Sequence, residues 1–168
     1  MKKIIAVLAA AFMFGTFAFA EGYICANDLE KGPINAERNE EDGFVLYASA
    51  EKPMEVKKND AKTYGEDTFT QVISTKGSGS VKKMERIITF PVKAGEKITI
   101  CCNNSGKNGS RPLHLVNVDT QAEIKLIPAT SMYEDGVYAD TTKVTESGTY
   151  GVYSTSGGIY IYKIEITK

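Results

Sequence analysis

The 168-residue chain has no tryptophan, a single histidine, only three arginines and only three cysteines. Each shortage excludes something. Without tryptophan there is no broad indole platform of the kind that suits a flat, crystalline polysaccharide. A lone His114, set between Leu113 and Leu115, cannot supply a histidine-based metal site. It also gives no cluster of base, nucleophile and orienting group, and the chain has no Gly-x-Ser-x-Gly, His-Glu-x-x-His or P-loop motif. An enzyme is therefore not expected. The formal net charge is −1, with 20 basic and 21 acidic residues intermixed. No basic stripe exists, so nucleic acid is excluded as a partner.

Long apolar runs are also missing, except at the start. Met1-Lys2-Lys3 leads an apolar stretch from Ile4 to Phe19, and Ala18-Phe19-Ala20 precedes Glu21. A basic start, a short apolar centre and an Ala-x-Ala end predict a cleaved signal peptide over residues 1–20. The stretch is shorter than the roughly 20 residues that a spanning helix needs. No second span follows, so no transmembrane segment is expected in the mature chain, which is predicted to be exported, periplasmic or extracellular. Ile24 before Cys25 fits a lipid-modification site badly.

Export permits a disulfide, and three cysteines leave one thiol over. Cys101 and Cys102 are neighbours, and on a strand neighbours face opposite ways. Cys25 with Cys101 is the pair to test; Cys102 reads as a small core residue.

What the chain has in quantity is short runs rich in Val, Ile, Thr, Tyr and Phe, bounded by Gly, Asn, Asp, Ser and Pro. This punctuation predicts strands. They fall at 44–50, 54–58, 68–74, 86–92, 97–102, 113–118, 123–127, 137–139, 143–145, 149–154 and 159–167. Residues 21–43 are polar and contain Gly and Pro, and read as a leading loop or irregular arm. Residues 44–168 then form an all-β, two-sheet antiparallel sandwich. In the last strand Tyr160, Tyr162, Ile164 and Ile166 alternate on one face, with Ile159 and Ile161 on the other. Asp119–Ala122 and Ser154–Gly158 both read as hairpin turns. Pro91 and Pro128 are expected at strand ends or edges.

Calcium is the cation that oxygen-rich loops would suit. Asp119, Glu134, Asp135 and Asp140 are the candidate ligands, but their spacing is not diagnostic and no cofactor is expected. Sugars ask for an aromatic face and a rim of hydrogen-bonding groups, with Arg as a bidentate partner for a uronate carboxylate. Nine tyrosines can serve as platforms. Arg86 and Arg111 stand beside loops rich in Gly, Ser and Asn. They read equally well as ligand contacts and as ion-paired struts.

Several segments carry a family pattern. They are Asp42-Gly43-Phe44, Gly77-Ser78-Gly79-Ser80 before Arg86-Ile87-Ile88-Thr89-Phe90, and Gly95-Glu96-Lys97-Ile98-Thr99-Ile100 before Arg111-Pro112-Leu113. The most specific is the end, Tyr153-Ser154-x-Ser156-Gly157-Gly158-Ile159-x-Ile161-Tyr162. Over residues 26–167 the chain resembles the non-catalytic β-sandwich modules found beside bacterial pectate lyases and other secreted polysaccharide-degrading enzymes. The resemblance implies a jelly-roll-like fold and binding of an oligosaccharide or polysaccharide, acidic or plant-type. The expected ligand-binding residues are Arg86, Arg111, Tyr153, Ser154, Ser156 and Tyr160. The arginines would hold sugar oxygens or a carboxylate, a tyrosine would stack, and the serines would bond hydroxyls. The alternative is an envelope structural or protein-interaction sandwich without a glycan ligand.

Overall fold

A computed structural model describes residues 21–106, 109–130 and 136–168. The expected signal peptide lies outside the described residues, as do Glu134 and Asp135. Among the described residues no helix is long and apolar enough to cross a membrane.

Thirteen strands are described: β1 (Gly22–Cys25), β2 (Gly32–Ile34), β3 (Arg38–Asn39), β4 (Val45–Tyr47), β5 (Met54–Tyr64), β6 (Asp67–Ser74), β7 (Ile87–Val92), β8 (Lys97–Asn104), β9 (Ser110–Asn117), β10 (Glu123–Thr130), β11 (Tyr138–Lys143), β12 (Gly148–Ser154) and β13 (Ile159–Thr167). They form two antiparallel sheets. One runs β11-β8-β13-β6-β5-β2, with β1 added beside β13; the other runs β10-β9-β12-β7-β4-β3. The all-β sandwich expected from the sequence is the observed fold.

The inner faces supply the core. Phe44, Leu46, Phe90, Leu115 and Val152 from one sheet meet Ile73, Ile100, Cys102 and Ile161 from the other, all fully buried or nearly so. Phe44 and Phe90 rings lie 5.2 Å apart. Each such side chain contributes about 1.5–3 kcal/mol by leaving water.

The last strand explains its own odd alternation. Ile161 pairs with Cys102 but Lys163 pairs with Cys101, so Tyr162 is an extra residue in β13. This β-bulge flips the parity. Ile159 and Ile161 before it, and Ile164 and Ile166 after it, all enter the same core. Tyr162 falls on the outer face instead, where it is buried with Phe69, Val72, Cys101 and Val137 in a second small cluster.

The bulge also divides the strand's partners. Tyr160 and Ile161 pair with β6, whereas Lys163–Ile166 pair with β1. Residues 21–43 are thus no separate arm. They supply β1 and β2 to one sheet and β3 to the other, and they bury Ile24, Ala26 and Ile34. Where β6 leaves β13, the side chain of Asn27 replaces the lost partner. Its Oδ1 accepts from the backbone N–H groups of Thr70 (2.9 Å) and Gln71 (3.1 Å), and its Nδ2 donates to the Thr68 carbonyl (2.8 Å). Gln71 Nε2 donates to the Asn27 carbonyl at 2.9 Å.

Two further expectations change. The segments 137–139 and 143–145 are one strand, β11, because Asp140–Thr142 continue the pairing with β8. Ser154–Gly158 is not a hairpin, since β12 and β13 belong to different sheets. Asp119–Ala122 is a hairpin turn, closed by Thr120 N–H on Asn117 Oδ1 with Gln121 at φ +60°. Pro91 lies beyond the start of β4, opposite Gly43, and Pro128 on the edge strand β10, where missing donors cost nothing.

All three thiols are free. Cys25 and Cys101 both pair with Lys163, from opposite sides. They stand two strand spacings apart, about 10 Å, beyond the roughly 7 Å reach of a disulfide. The expected Cys25–Cys101 bond is therefore excluded in this fold. Cys102 faces the inter-sheet core and Cys101 the outer cluster, as neighbours on a strand must.

The Asn27 amide and the buried titratable groups each generate a prediction. Asn27→Ala leaves β6 donors unpaired and is expected to destabilise the fold by roughly 1–3 kcal/mol. The thermal midpoint should fall by about 2–4 °C for each kcal/mol. Asn27→Asp, which keeps the acceptor, should fall between. An unchanged Asn27→Ala midpoint would show that water can serve these groups.

The second prediction concerns alkali. Burial pushes the Cys101 thiol up to about 12 from 9.0, and the Tyr162 phenol up to about 12 from 10.0. Burial works against the Lys163 ammonium, but hydrogen bonds to Glu165 and Asp67 outweigh it and raise that group too. All three hold their protons more tightly folded than unfolded. Stability should be level up to the unfolded thiol value and be lost as pH rises from there toward 12. Urea denaturation between pH 7 and 11 reads this directly; flat stability above pH 9 contradicts it.

Candidate functional site

Three described connections meet at one end of the sandwich, 48–53, 75–86 and 155–158, and Ser105 joins them there. Two of them are joined by hydrogen bonds. Thr75 N–H donates to the Ile159 carbonyl at 3.0 Å, Ile159 N–H to Thr75 Oγ1 at 2.9 Å, and Gly79 N–H to the Ser154 carbonyl at 2.6 Å. The joined loops are flanked by the two arginines.

Arg86 sits at φ +48°, a conformation unfavourable for a residue with a Cβ. Its Nε donates to the Pro53 carbonyl (3.1 Å) and its Nη1 weakly to that of Ser78 (3.5 Å). Gly77 makes room for the guanidinium, since a Cβ there would clash with Nη1. Arg111 lies on the other side. Its Nη1 donates to the Gly158 carbonyl (2.9 Å) and to Ser105 Oγ (3.2 Å), and Ser105 Oγ itself donates to Gly158 (2.7 Å). Gly157, at φ +149°, lies so close that a Cβ would stand 2.9 Å from Arg111 Cζ. The repeated glycines of this rim are what let two guanidinium groups pack against backbone.

Neither arginine is paired with a carboxylate among the described residues; the arginine ion pair found there is Arg38 with Glu40. The ion-paired strut expected as the alternative to ligand binding is thus absent among the described residues. Both groups are held by neutral oxygens.

The other expected residues are dispersed. Ser154 is at this rim but fully buried, its Oγ accepting weakly from Ser156 N–H (3.4 Å). Ser156 is exposed. Tyr153 lies on the outer face of the six-stranded sheet, stacked on His114 with centroids 5.1 Å apart. Burial, then the Glu123 charge, raises its phenol above the ordinary value. Tyr160 belongs to the other sheet. Lys57 Nζ lies 4.8 Å above its ring and donates to its hydroxyl at 3.1 Å. The rim therefore gathers Arg86, Arg111, Ser154 and Ser156, but not Tyr153 and Tyr160.

Motif reading passes over a row of side chains across the outer face of the six-stranded sheet. Register places Leu126 beside His114, His114 beside Tyr153, and Tyr47 beside Ile87. His114 Nδ1 lies 2.7 Å from Glu123 Oε2, and Nε2 2.9 Å from Thr155 Oγ1. The chain of contacts resembles a hydrolytic triad in connectivity alone. It lies on an open sheet face, Glu123 is half exposed, and the histidine ring is stacked on Tyr153. Its evident work is to tie the 155–158 loop to β9. Strand parity within β4, β9 and β12 is the signal that could find this row. Among the candidate cation ligands, Asp119 accepts from Thr149 N–H (2.9 Å), and Asp140 pairs with Lys125 (2.8 Å) and accepts from Thr142.

No protein-family model matches the chain, and no curated protein matches it in sequence. Solved structures similar to it in shape include carbohydrate-binding modules. One is a family 35 module from an environmental isolate, at 12% identity and TM-score 0.46, covering 88% of this chain and 93% of that one. A family 35 module from Clostridium thermocellum has 12% identity and TM-score 0.42, covering 82% and 98%. A CBM51 module from Clostridium perfringens, solved with methyl-galactose, has 9% identity and TM-score 0.42, covering 87% and 100%.

Gly157→Ala tests the packing of the rim. A methyl group there combines an unfavourable φ with a clash on Arg111 and is expected to cost about 1–2 kcal/mol. Thermal melts of the variant should show a midpoint several degrees lower; an unchanged midpoint means that Arg111 does not rest on Gly157.

Proposed function

We propose that this protein is an exported, non-catalytic carbohydrate-binding module whose ligand is an acidic polysaccharide held at the Arg86–Arg111 rim. One observation carries the reading: two half-buried guanidinium groups without acidic partners among the described residues. A guanidinium keeps its charge at any physiological pH and offers five N–H donors. In Arg111 the loops use Nη1, while Nε and Nη2 have no hydrogen-bond partner among the described residues. That edge matches a uronate carboxylate in two-pronged fashion. Ser156, exposed beside it, is the hydroxyl partner. The sequence resemblance points the same way. Tyr153 would contribute by supporting the loop through His114 and Thr155, rather than as a free platform.

The second reading, docking on another envelope protein, is favoured by Leu126 and Ile124, 50% and 40% exposed on the edge strand β10.

Affinity electrophoresis separates the two. Polygalacturonate should retard the protein, and its methyl-esterified form should not. Arg111→Gln and Arg86→Gln should each weaken retention about tenfold or more, since a charged hydrogen bond contributes roughly 1.5–3 kcal/mol. Added salt should weaken it further. Equal retention by the esterified polymer, or unchanged retention in both variants, contradicts the rim as an acidic-glycan site.

A further inference from the structure

Far from the arginine rim, two clefts adjoin along β1. One, of about 370 Å³, lies toward Glu40–Asp42; the other, of about 280 Å³, lies toward the start of β6. Tyr23, Cys25 and Asp28 line both. Together they fall within the size range of small-molecule sites, about 300–1,000 Å³. Tyr23 is 50% exposed, more than any other aromatic residue among the described ones.

We propose that these clefts form a second binding site, for a neutral pyranose ring, with Tyr23 as its apolar wall. The chemistry of the lining sets the class. Asp28 and Asp67 are exposed carboxylates, and Thr68, also exposed, lines the same cleft. Carboxylates accept two hydrogen bonds from neighbouring sugar hydroxyls and repel a uronate. Lys163 supplies a donor. A ring with hydroxyls on its edge and C–H groups on its face uses all of these at once.

The groups are held in place before any ligand arrives. Asn27, locked to β6 by its side chain, fixes the turn that carries Asp28. Lys163 Nζ is clamped between Asp67 and Glu165, 3.0 Å from each, and lies 5.6 Å from the centroid of the Tyr23 ring. Little ordering is left for binding to impose. This site shares only its ligand class, a glycan, with the proposed function; its residues and the charge it selects are different.

The test is a nuclear magnetic resonance titration of the labelled protein with methyl β-glucoside, methyl β-galactoside and methyl α-mannoside, beside a titration with trigalacturonate. At least one neutral glycoside should shift the amides of Tyr23, Cys25–Asp28, Thr68 and Lys163. Tyr23→Ala should weaken that binding about tenfold and Asp28→Asn several-fold, both leaving the trigalacturonate response unchanged. Silence of those amides toward all three glycosides, or shifts that persist in Tyr23→Ala, overturns the second site. A missing trigalacturonate response refutes the rim and leaves this inference standing.

Discussion

The seven-stranded sheet splits at Tyr162, and the amide of Asn27 closes the split. A strand that loses its neighbour exposes backbone donors and acceptors that must find partners. Here one side chain meets three of them on β6, at Thr68, Thr70 and Gln71. β1 is held beside the second half of β13 by its own backbone pairing, and the small cluster around Phe69 and Tyr162 packs on the outer face of this sheet.

The split gives the two halves of β13 different surroundings. Its first half stays with β6, so the loops before and after them are zipped through Thr75, Ser154 and Ile159. That zipper carries guanidinium groups on both sides. Its second half runs beside β1, with Asp28, Glu40, Glu41, Asp42 and Asp67 nearby. A near-neutral chain thus presents cationic groups at one end and carboxylates near the other. The contrast is local and follows from where the bulge falls.

Much of this is legible in the order of the amino acids. Strand punctuation locates β6 to β9, β12 and β13 to within a few residues, because Val, Ile and Thr runs end at Gly, Asn and Asp. The change of parity in β13 is also visible in Ile159, Ile161, Ile164 and Ile166, but a sequence pattern does not say whether such a change is a bulge or a strand moving between environments. Residues 21–43 are opaque for a different reason. β2 and β3 are three and two residues long, too short for any periodicity, and the task of Asn27 exists only where β6 departs from β13. The rim is half readable. Glycines next to Arg86 and Arg111 mark loops that pack against guanidinium groups. Tyr160 groups with Tyr153 only if a hairpin turn joins them; the chain instead crosses from one sheet to the other there, and the two rings end on opposite faces of the molecule.

The guanidinium groups of the rim are held by neutral oxygens, and the proposed function requires them to be available to an acidic sugar. Diffraction from crystals grown with trigalacturonate tests that availability at the level of atoms. A uronate carboxylate should lie within hydrogen-bonding distance of Nε and Nη2 of Arg111, with Nη1 still on Gly158 and Ser105. Sugar bound elsewhere, or an Arg111 that contacts only its own loops in the presence of bound sugar, would contradict it.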